Sequence, residues 1–313
     1  MPLPERELIA RIRRTAKTRG AAVRLGIGDD CAILRPPAGH EVLLTTDFSL
    51  EGVHFRRAWH PPESVGHRCL ARGLSDIAAM GGHPLAAFLS LALPADIPQR
   101  WPDRFFSGLM ALADEFSLTL AGGDVAQSLS GVLADIVVIG SAPTGKAVLR
   151  SGARPADLIY VTGELGASVA ALEELRSGKK LPPRSRPRHF YPLPRIEIGK
   201  ALRGKASAMI DTSDGLSTDL AHICEESRVG AVIYADALPR ARGASLDFAL
   251  HGGEDYELLF TAPAARRIPP FVAGVRLNRI GEIVRGGGVS LLDDRGRRMP
   301  LASRGWQHFD RSN

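Results

Sequence analysis

The stretch IDTSDGLSTDL, residues 210–220, decides the fold class of this chain. Residues 208–211 are typical of a buried strand, and residues 216–227 have apolar positions at helical spacing. The polar segment Asp211-Thr212-Ser213-Asp214-Gly215 connects them, so the following helix would point its N-terminus at an anion. Taken alone, Asp214 is also an ordinary helix N-cap. The stretch therefore predicts a strand–loop–helix unit.

The same alternation of strands and helices extends in both directions from this unit. We predict helices at residues 5–18, 64–80, 102–116, 165–175, 195–202 and 216–227. We predict strands at residues 42–46, 85–93, 118–121, 132–139, 158–162, 208–211, 256–260, 277–283 and 289–292, and a loop at 177–194. Such a mixture predicts an α/β or α+β layered architecture. Because Pro and Gly cluster near residues 142–154, we expect two domains, residues 1–145 and 146–313.

Bulk composition is that of a soluble globular protein. The 313 residues include 44% apolar and 24% charged residues, and the formal net charge is +6. The basic residues are scattered, so we interpret Arg11-Ile12-Arg13-Arg14 as a solvated face and expect no nucleic-acid partner. Three separated cysteines favour a reducing cytoplasm and no disulfide or zinc framework. The apolar run at 85–93 is too short to span a bilayer, so we expect no membrane association.

Aspartates recur at places where predicted strands end. They occur at residues 29, 30, 47, 124, 211 and 214, with Asp76 in the predicted helix at 64–80 and Asp255 just before a predicted strand. Each alone is explained by turn chemistry. Gathered in one cleft, so many carboxylates would repel one another unless cations neutralised them, and carboxylate and hydroxyl oxygens suit magnesium. A site that joins a nucleotide polyphosphate to a second anion through magnesium is what phosphoryl transfer requires.

A second phosphate motif is misleading. Gly140-Ser141-Ala142-Pro143-Thr144-Gly145-Lys146 has the spacing of a P-loop, but Ala147 follows where a magnesium-binding hydroxyl is needed. Residues 148–152 do not open a helix, so we interpret the stretch as an ordinary Gly/Pro turn.

Seven ordered blocks resemble the bacterial thiamine-monophosphate kinases, within the wider aminoimidazole ribonucleotide synthetase-like group. The blocks are GIGDDCAIL (26–34), TTDFSLEGVHF (45–55), LSDIAAMGG (74–82), AGGD (121–124), LRSGARPAD (149–157), IDTSDGLSTDL (210–220) and GGEDYELLF (252–260). The resemblance implies magnesium-assisted, direct in-line transfer from ATP to thiamine monophosphate, giving ADP and thiamine diphosphate. It also implies a homodimer in which the N-terminal mixed sheets pair into a barrel, with a C-terminal α/β domain completing the site.

The resemblance also implies roles for single residues. The magnesium ligands would be Asp30, Thr45, Thr46, Asp47, Asp76, Asp124, Asp211 and Asp214. The nucleotide contacts would be Gly123, Asp124, Arg150 and Ser213. The acceptor contacts would be His54, Glu254 and Trp306. No residue is assigned as a general base, because the acceptor is already a phosphate oxygen.

The chain departs from the family pattern in two places. Val125-Ala126-Gln127 stands where the family usually has Thr-Thr-Arg, which removes two hydroxyls and a cation from a segment expected near the phosphates. His251 stands where the family commonly has serine. Two other hypotheses remain open on this basis: another ATP-dependent enzyme of the group, such as a ring-closing synthetase, and a non-catalytic nucleotide-binding dimer.

Overall fold

A computed structural model describes residues 1–18, 20–185 and 187–309. The helices are α1 (Glu5–Thr15), α2 (Pro62–Ala79), α3 (Arg100–Glu115), α4 (Ala167–Arg176), α5 (Pro187–Phe190), α6 (Ile196–Leu202), α7 (Leu216–Ser227) and α8 (Leu246–His251). The strands are β1 (Val23–Leu25), β2 (Ile33–Leu34), β3 (His40–Leu50), β4 (His83–Pro94), β5 (Thr119–Ser128), β6 (Leu133–Pro143), β7 (Asp157–Thr162), β8 (Ala208–Asp211), β9 (Gly230–Tyr234), β10 (Leu258–Pro263), β11 (Phe271–Val272), β12 (Val275–Val284), β13 (Val289–Leu292) and β14 (Arg298–Pro300).

The chain folds into two compact units. Unit 1 contains residues 1–77, 82–145 and 182–192, and unit 2 contains residues 78–81, 146–181 and 193–313. The main division falls between Gly145 and Lys146, where Pro and Gly residues accumulate. Segment 78–81 belongs to unit 2, although the residues on both sides of it belong to unit 1. Segment 182–192 belongs to unit 1, although the residues on both sides of it belong to unit 2.

Unit 1 is built on a mixed four-stranded sheet with the order β3-β6-β4-β5. β4 and β5 run parallel, whereas β6 is antiparallel to both β3 and β4. The helix α2 packs on β3 and β6, since a Cβ placed on Gly73 would meet the side chains of Val138 and Thr45. Its apolar residues Val65, Cys69, Leu70, Leu74 and Ile77 are all buried, as their helical spacing predicts.

Unit 2 is built on an eight-stranded sheet. Its main path is β14-β13-β9-β12-β7-β10-β8, and β11 pairs with β12. The β13–β9 pair is parallel, and the other pairs are antiparallel. The core lies between this sheet and α7, where Ile210 on β8 and Leu220 on α7 are both buried. Both units thus combine sheets with helices, and the layered α/β prediction is confirmed at that level.

Most predicted elements are present, and the differences are local. β8, α7 and β13 have the predicted bounds, while α1 ends three residues early, at Thr15. The predicted loop at 177–194 is partly wrong, because it contains α5 and a 3-10 turn at Pro183–Ser185. The P-loop-like stretch lies at the end of β6, forms a turn at residues 144–145 and is not followed by a helix, which confirms that it is an ordinary turn. In the described ranges, no helix is both long enough and apolar enough to cross a bilayer.

Candidate functional site

The first acidic group lies where β3 faces α2. Successive side chains of a strand point to opposite faces, so Thr45 and Asp47 share the face that covers Leu43. The Thr45 hydroxyl donates a hydrogen bond to the Asp76 carboxylate on α2. Burial and, to a smaller extent, the charge of Asp76 raise the pKa of Asp47 to about 6, against an opposing effect of Arg72. The structure therefore brings Thr45, Asp47 and Asp76 together.

Thr46 points away from this group. Its hydroxyl lies on the opposite face of β3 and donates to Asp135 Oδ1 at 2.7 Å. The prediction that aspartates mark strand ends was also wrong for two of them, because Asp47 lies inside β3 and Asp124 inside β5. Long edge strands here continue through polar residues, since one face of each is solvated.

A cavity of about 1060 Å³ lies in unit 1 and holds a second acidic group. Its wall includes Asp30 and the Gly122-Gly123-Asp124 segment of β5. Gly123 has a φ of +147°, and any Cβ there would collide with the Leu89 carbonyl oxygen, so only glycine fits. The Asp124 carboxylate accepts a hydrogen bond of 2.9 Å from the Val125 N–H. Asp30, Gly123 and Asp124 are thus brought together, as predicted for nucleotide and metal contacts.

The third acidic group lies in unit 2, where β8 passes into α7. Asp211, the last residue of β8, is buried, and Asp219 in the first turns of α7 is buried as well. The Gly215 N–H donates to Asp219 Oδ2 at 3.0 Å, which closes the loop. Burial raises the pKa of Asp219 well above its usual range, and the charges of Asp211 and Asp214 raise it further. Asp219 was missed at the sequence level, although it lies in the stretch that decided the fold.

The predicted acceptor residues Glu254 and Trp306 are bound to the same loop. The Glu254 N–H donates to the Ser213 carbonyl oxygen at 2.8 Å, and the Trp306 N–H donates to the Asp214 carbonyl oxygen at 3.0 Å. Glu254 has a φ of +62°, in the left-handed region that non-glycine residues seldom adopt. Main-chain bonds therefore bring Ser213, Asp214, Glu254 and Trp306 together within unit 2.

Two buried carboxylates in the GGEDYEL block have structural partners that the sequence did not reveal. Asp255 accepts hydrogen bonds from the N–H groups of Gly166 (2.5 Å) and Ser168 (3.1 Å), at the N-terminus of α4. Burial raises the pKa of Asp255 to about 7. Glu257 accepts hydrogen bonds from Arg195 and from the Thr162 hydroxyl. These carboxylates hold the loop that presents Glu254.

The remaining predicted residues have simpler surroundings. His54 Nδ1, in unit 1, accepts a hydrogen bond of 3.0 Å from the Leu50 N–H. Arg150, in unit 2, has an exposed side chain, and its carbonyl oxygen accepts from the Ser227 hydroxyl at 3.3 Å. His251, at the position where the family commonly has serine, shares a hydrogen bond of 2.8 Å with the Ser217 hydroxyl of α7. The joining of the residues of the two units into one site stays a prediction.

The chemistry of these acidic groups fits magnesium. Carboxylates and hydroxyls are hard oxygen donors. Burial is the main cause of the raised pKa of Asp47, and the nearby charge of Asp76 contributes to it; a bound cation would stabilise both carboxylates in their charged form. In the part of the chain that the structure describes, no three His, Cys, Asp or Glu side chains form a ready-made metal cage. Magnesium does not require one, because it retains water and is completed by substrate phosphates.

Comparison with known proteins decides the family. The AIR synthase related protein models match residues 28–142 with the N-terminal domain and residues 154–294 with the C-terminal domain. The thiamine-monophosphate kinase of Salmonella typhimurium strain LT2 is 40% identical over 281 residues, covering 85% of this chain and 85% of its own length. The chain belongs to the thiamine-monophosphate kinase family.

Solved structures of this family have the same fold. The crystal structure of thiamine-monophosphate kinase from Stenotrophomonas maltophilia K279a has a TM-score of 0.82 and 37% identity, covering 91% of this chain and 95% of its own. The structure of AaThiL complexed with AMPPCP and TMP has a TM-score of 0.78 and 32% identity, covering 98% of this chain and 97% of its own. The thiamine-monophosphate kinase fold thus extends over both units.

Proposed function

We propose that this protein is a thiamine-monophosphate kinase that transfers the terminal phosphoryl group of ATP to thiamine monophosphate, forming ADP and thiamine diphosphate. The observation that carries this proposal is the 40% identity to a kinase of that name over most of both chains. The related structure with AMPPCP and TMP supports an ATP-like nucleotide as one substrate. The acidic groups found in each unit supply the side chains that such a reaction requires.

The carboxylates act mainly by holding charge in place. We assign metal binding to the side chains of Asp30, Thr45, Asp47, Asp76, Asp124, Asp211 and Asp214. We assign Thr46 to the same set only through its main chain, because its hydroxyl donates to Asp135. When bound, magnesium would neutralise phosphate charge and orient the transferred group. Gly123 lets the backbone approach a phosphate, and Ser213 at the start of the strand-to-helix loop offers donors to another.

The acceptor side of the site is assigned to Glu254, Trp306 and His54. Thiamine carries an aromatic cation, which an exposed tryptophan ring can cover and a carboxylate can neutralise. The main-chain N–H of Trp306 donates to the Asp214 carbonyl oxygen, which holds this residue next to the loop. Trp306 is 40% exposed, so its ring is available to a ligand there. No general base is needed, because the attacking atom is already a phosphate oxygen.

We also propose that two copies of this chain pair through the unit 1 sheets into a barrel. β3 is at the edge of that sheet and exposes Val42 (53%), Leu44 (67%) and Phe48 (54%) on one face. An apolar stripe along an open edge strand, here interrupted by Thr46, is what a second identical sheet would cover. We place the enzyme in the cytoplasm, where free cysteines stay reduced.

One observation favours a second candidate, a non-catalytic nucleotide-binding dimer. Val125-Ala126-Gln127 lies in β5 next to Asp124 and offers no cation to a bound phosphate. Product analysis after incubation with ATP, magnesium and thiamine monophosphate separates the candidates. Thiamine diphosphate supports the kinase, whereas tight nucleotide binding without turnover supports the second candidate, and ADP release that needs a different acceptor supports a synthetase.

A further inference from the structure

One face of helix α1 lines the unit 1 cavity. Its lining residues are Arg6, Ile9, Ala10 and Arg13, with Arg14 and the buried Ile12 beside them. The first four positions are spaced by three or four residues, so they share one side of a helix. The interpretation of the Arg11 to Arg14 cluster as a purely solvated face is therefore incomplete.

The opposite side of α1 anchors the helix to the rest of unit 1. Leu8 is buried on that side, and Arg11 bonds the Asp103 carboxylate of α3 with contacts of 2.7 and 2.9 Å. The Leu3 N–H, just before the helix, donates to Gln99 Oε1 at 2.6 Å. These contacts fix the rotation of α1, so its other arginines are directed at the cavity by the fold.

The cavity-facing arginines of α1 are not held in ion pairs in the described part of the chain. Among the described residues, the ion pair made by α1 uses Arg11, and Arg6, Arg13 and Arg14 form none. The Arg13 guanidinium lies directly against Gly28, where any Cβ would collide with it. A guanidinium beside the Gly28 backbone has five N–H donors, with which it can bind an anionic ligand.

The composition of the cavity wall identifies the ligand class. Ile9, Phe88 and Phe106 form apolar wall, which suits a nucleobase. Asp30 and Asp124 form the anionic wall already assigned to metal-bound phosphate. Among the described lining residues, the cationic side chains all come from α1, and β5 contributes Gly122, Gly123, Asp124 and Val125 but no cation. A nucleoside polyphosphate matches all three kinds of surface.

We propose that Arg13, flanked by Arg6 and Arg14, binds the phosphate groups of the nucleotide and supplies the positive charge that β5 lacks. Guanidinium groups bind phosphate oxygens through paired, charge-assisted hydrogen bonds. The inference rests on the proposed function, since it takes the nucleotide of the kinase reaction as the occupant of the cavity.

The thiol of Cys31 allows a direct test. Cys31 is exposed and lines the cavity, whereas Cys69 and Cys224 are buried. The rate of Cys31 alkylation, followed by mass spectrometry against AMPPCP concentration with magnesium present, reports occupancy without turnover. We expect Arg13→Gln to raise the half-protecting concentration of AMPPCP about tenfold or more, since a hydrogen bond to a charged group is lost. We expect Arg13→Lys to recover part of that loss. Arg13→Gln should raise the half-protecting concentration of AMP by a smaller factor, because AMP carries fewer charges than AMPPCP.

Arg24→Gln is the matched control, since it removes one arginine from β1 outside the cavity wall. Its half-protecting concentration should equal that of the wild type. Equal protection of wild type and Arg13→Gln, or an equal loss in Arg24→Gln, would overturn the role of Arg13. Absence of protection in the wild type would instead count against nucleotide binding in this cavity and so against the proposed function. Far-UV circular dichroism and thermal melts confirm that each variant is folded.

Discussion

The Arg195 guanidinium donates two hydrogen bonds to the Glu257 carboxylate, of 2.7 and 2.5 Å, in the interior of unit 2. The Glu257 side chain is 1% exposed, and its main-chain N–H donates to the Thr212 hydroxyl at 3.0 Å. One buried ion pair thus joins the segment before α6 to the Asp211–Gly215 loop. We infer that this pair holds the loop in the conformation that presents its carboxylates.

Removal of Arg195 should destabilise the protein strongly. Arg195→Met leaves the Glu257 charge buried without its partner, and we expect a loss of about 3–5 kcal/mol in the free energy of unfolding. Lys200→Met is the control, because it breaks an exposed pair with Glu197 and should cost less than about 1 kcal/mol. Denaturant titrations of both variants measure this, and equal losses would contradict the structural role of the buried pair.

Asp211→Asn should abolish phosphoryl transfer without unfolding the protein. The substitution removes a buried charge that raises the pKa of Asp219, so the melting temperature should stay equal or rise. Transfer should fall by about a thousandfold or more, since charge stabilisation is the largest catalytic contribution in such sites. Asp236→Asn makes the same change at an exposed residue and should leave the rate unaltered. Normal turnover in Asp211→Asn would refute its assignment as a metal ligand.

The stability of unit 2 should depend on pH through Asp255. Burial raises the pKa of Asp255 to about 7 from an ordinary value of 3.8, so between these values the folded state binds more protons than the unfolded state. The free energy of unfolding therefore falls as pH rises through this window and changes no further above it. Asp255→Asn cannot titrate, so from about pH 5 to about pH 8 the wild type should lose roughly 3 kcal/mol more than the variant.

A second aspartate provides a control of opposite sign. Hydrogen bonding from the Arg297 N–H lowers the pKa of Asp293, so its contribution to stability is present above its ordinary pKa and is lost as pH falls. Asp293→Asn should therefore not reduce the loss of stability between about pH 5 and about pH 8. Parallel pH curves for wild type and Asp255→Asn would contradict the burial argument.

The apolar face of β3 should control the oligomeric state. Phe48→Glu places a charge on the face that a second sheet would cover. We expect its sedimentation coefficient to fall from the value of a dimer to that of a monomer. Phe271→Glu is a matched control, because Phe271 is 58% exposed on β11 of unit 2. A monomeric wild type, or a Phe48→Glu variant that remains dimeric, would contradict pairing through this face.

Local sequence patterns predicted much of the fold. The bounds of β8, α7 and β13 follow directly from apolar runs and their spacing. β9 and α8 were not predicted. For α8 the sequence held an N-cap residue, because Ser245 accepts a hydrogen bond of 3.0 Å from the Phe248 N–H. α5 was missed because Pro, Arg and Lys surround it and no periodicity marks so short a helix.

The candidate site was predictable in part for a different reason. Asp47, Asp76 and Thr45 lie together because strand alternation and helix packing point them to one face. Asp255 binds Gly166, about ninety residues away in the sequence, and Glu257 binds Arg195, about sixty residues away. A single sequence gives no sign of such distant pairs. The cavity face of α1 was likewise invisible until the fold fixed its rotation.

The most direct test follows the transferred phosphoryl group itself. The purified protein is incubated with thiamine monophosphate and ATP carrying ¹⁸O in its terminal phosphoryl group, with magnesium or with EDTA, and products are analysed by mass spectrometry. The account predicts thiamine diphosphate that carries the label in its terminal phosphate and forms only when magnesium is present. Unlabelled thiamine diphosphate, equal formation in EDTA, or no thiamine diphosphate from protein that binds AMPPCP would contradict it.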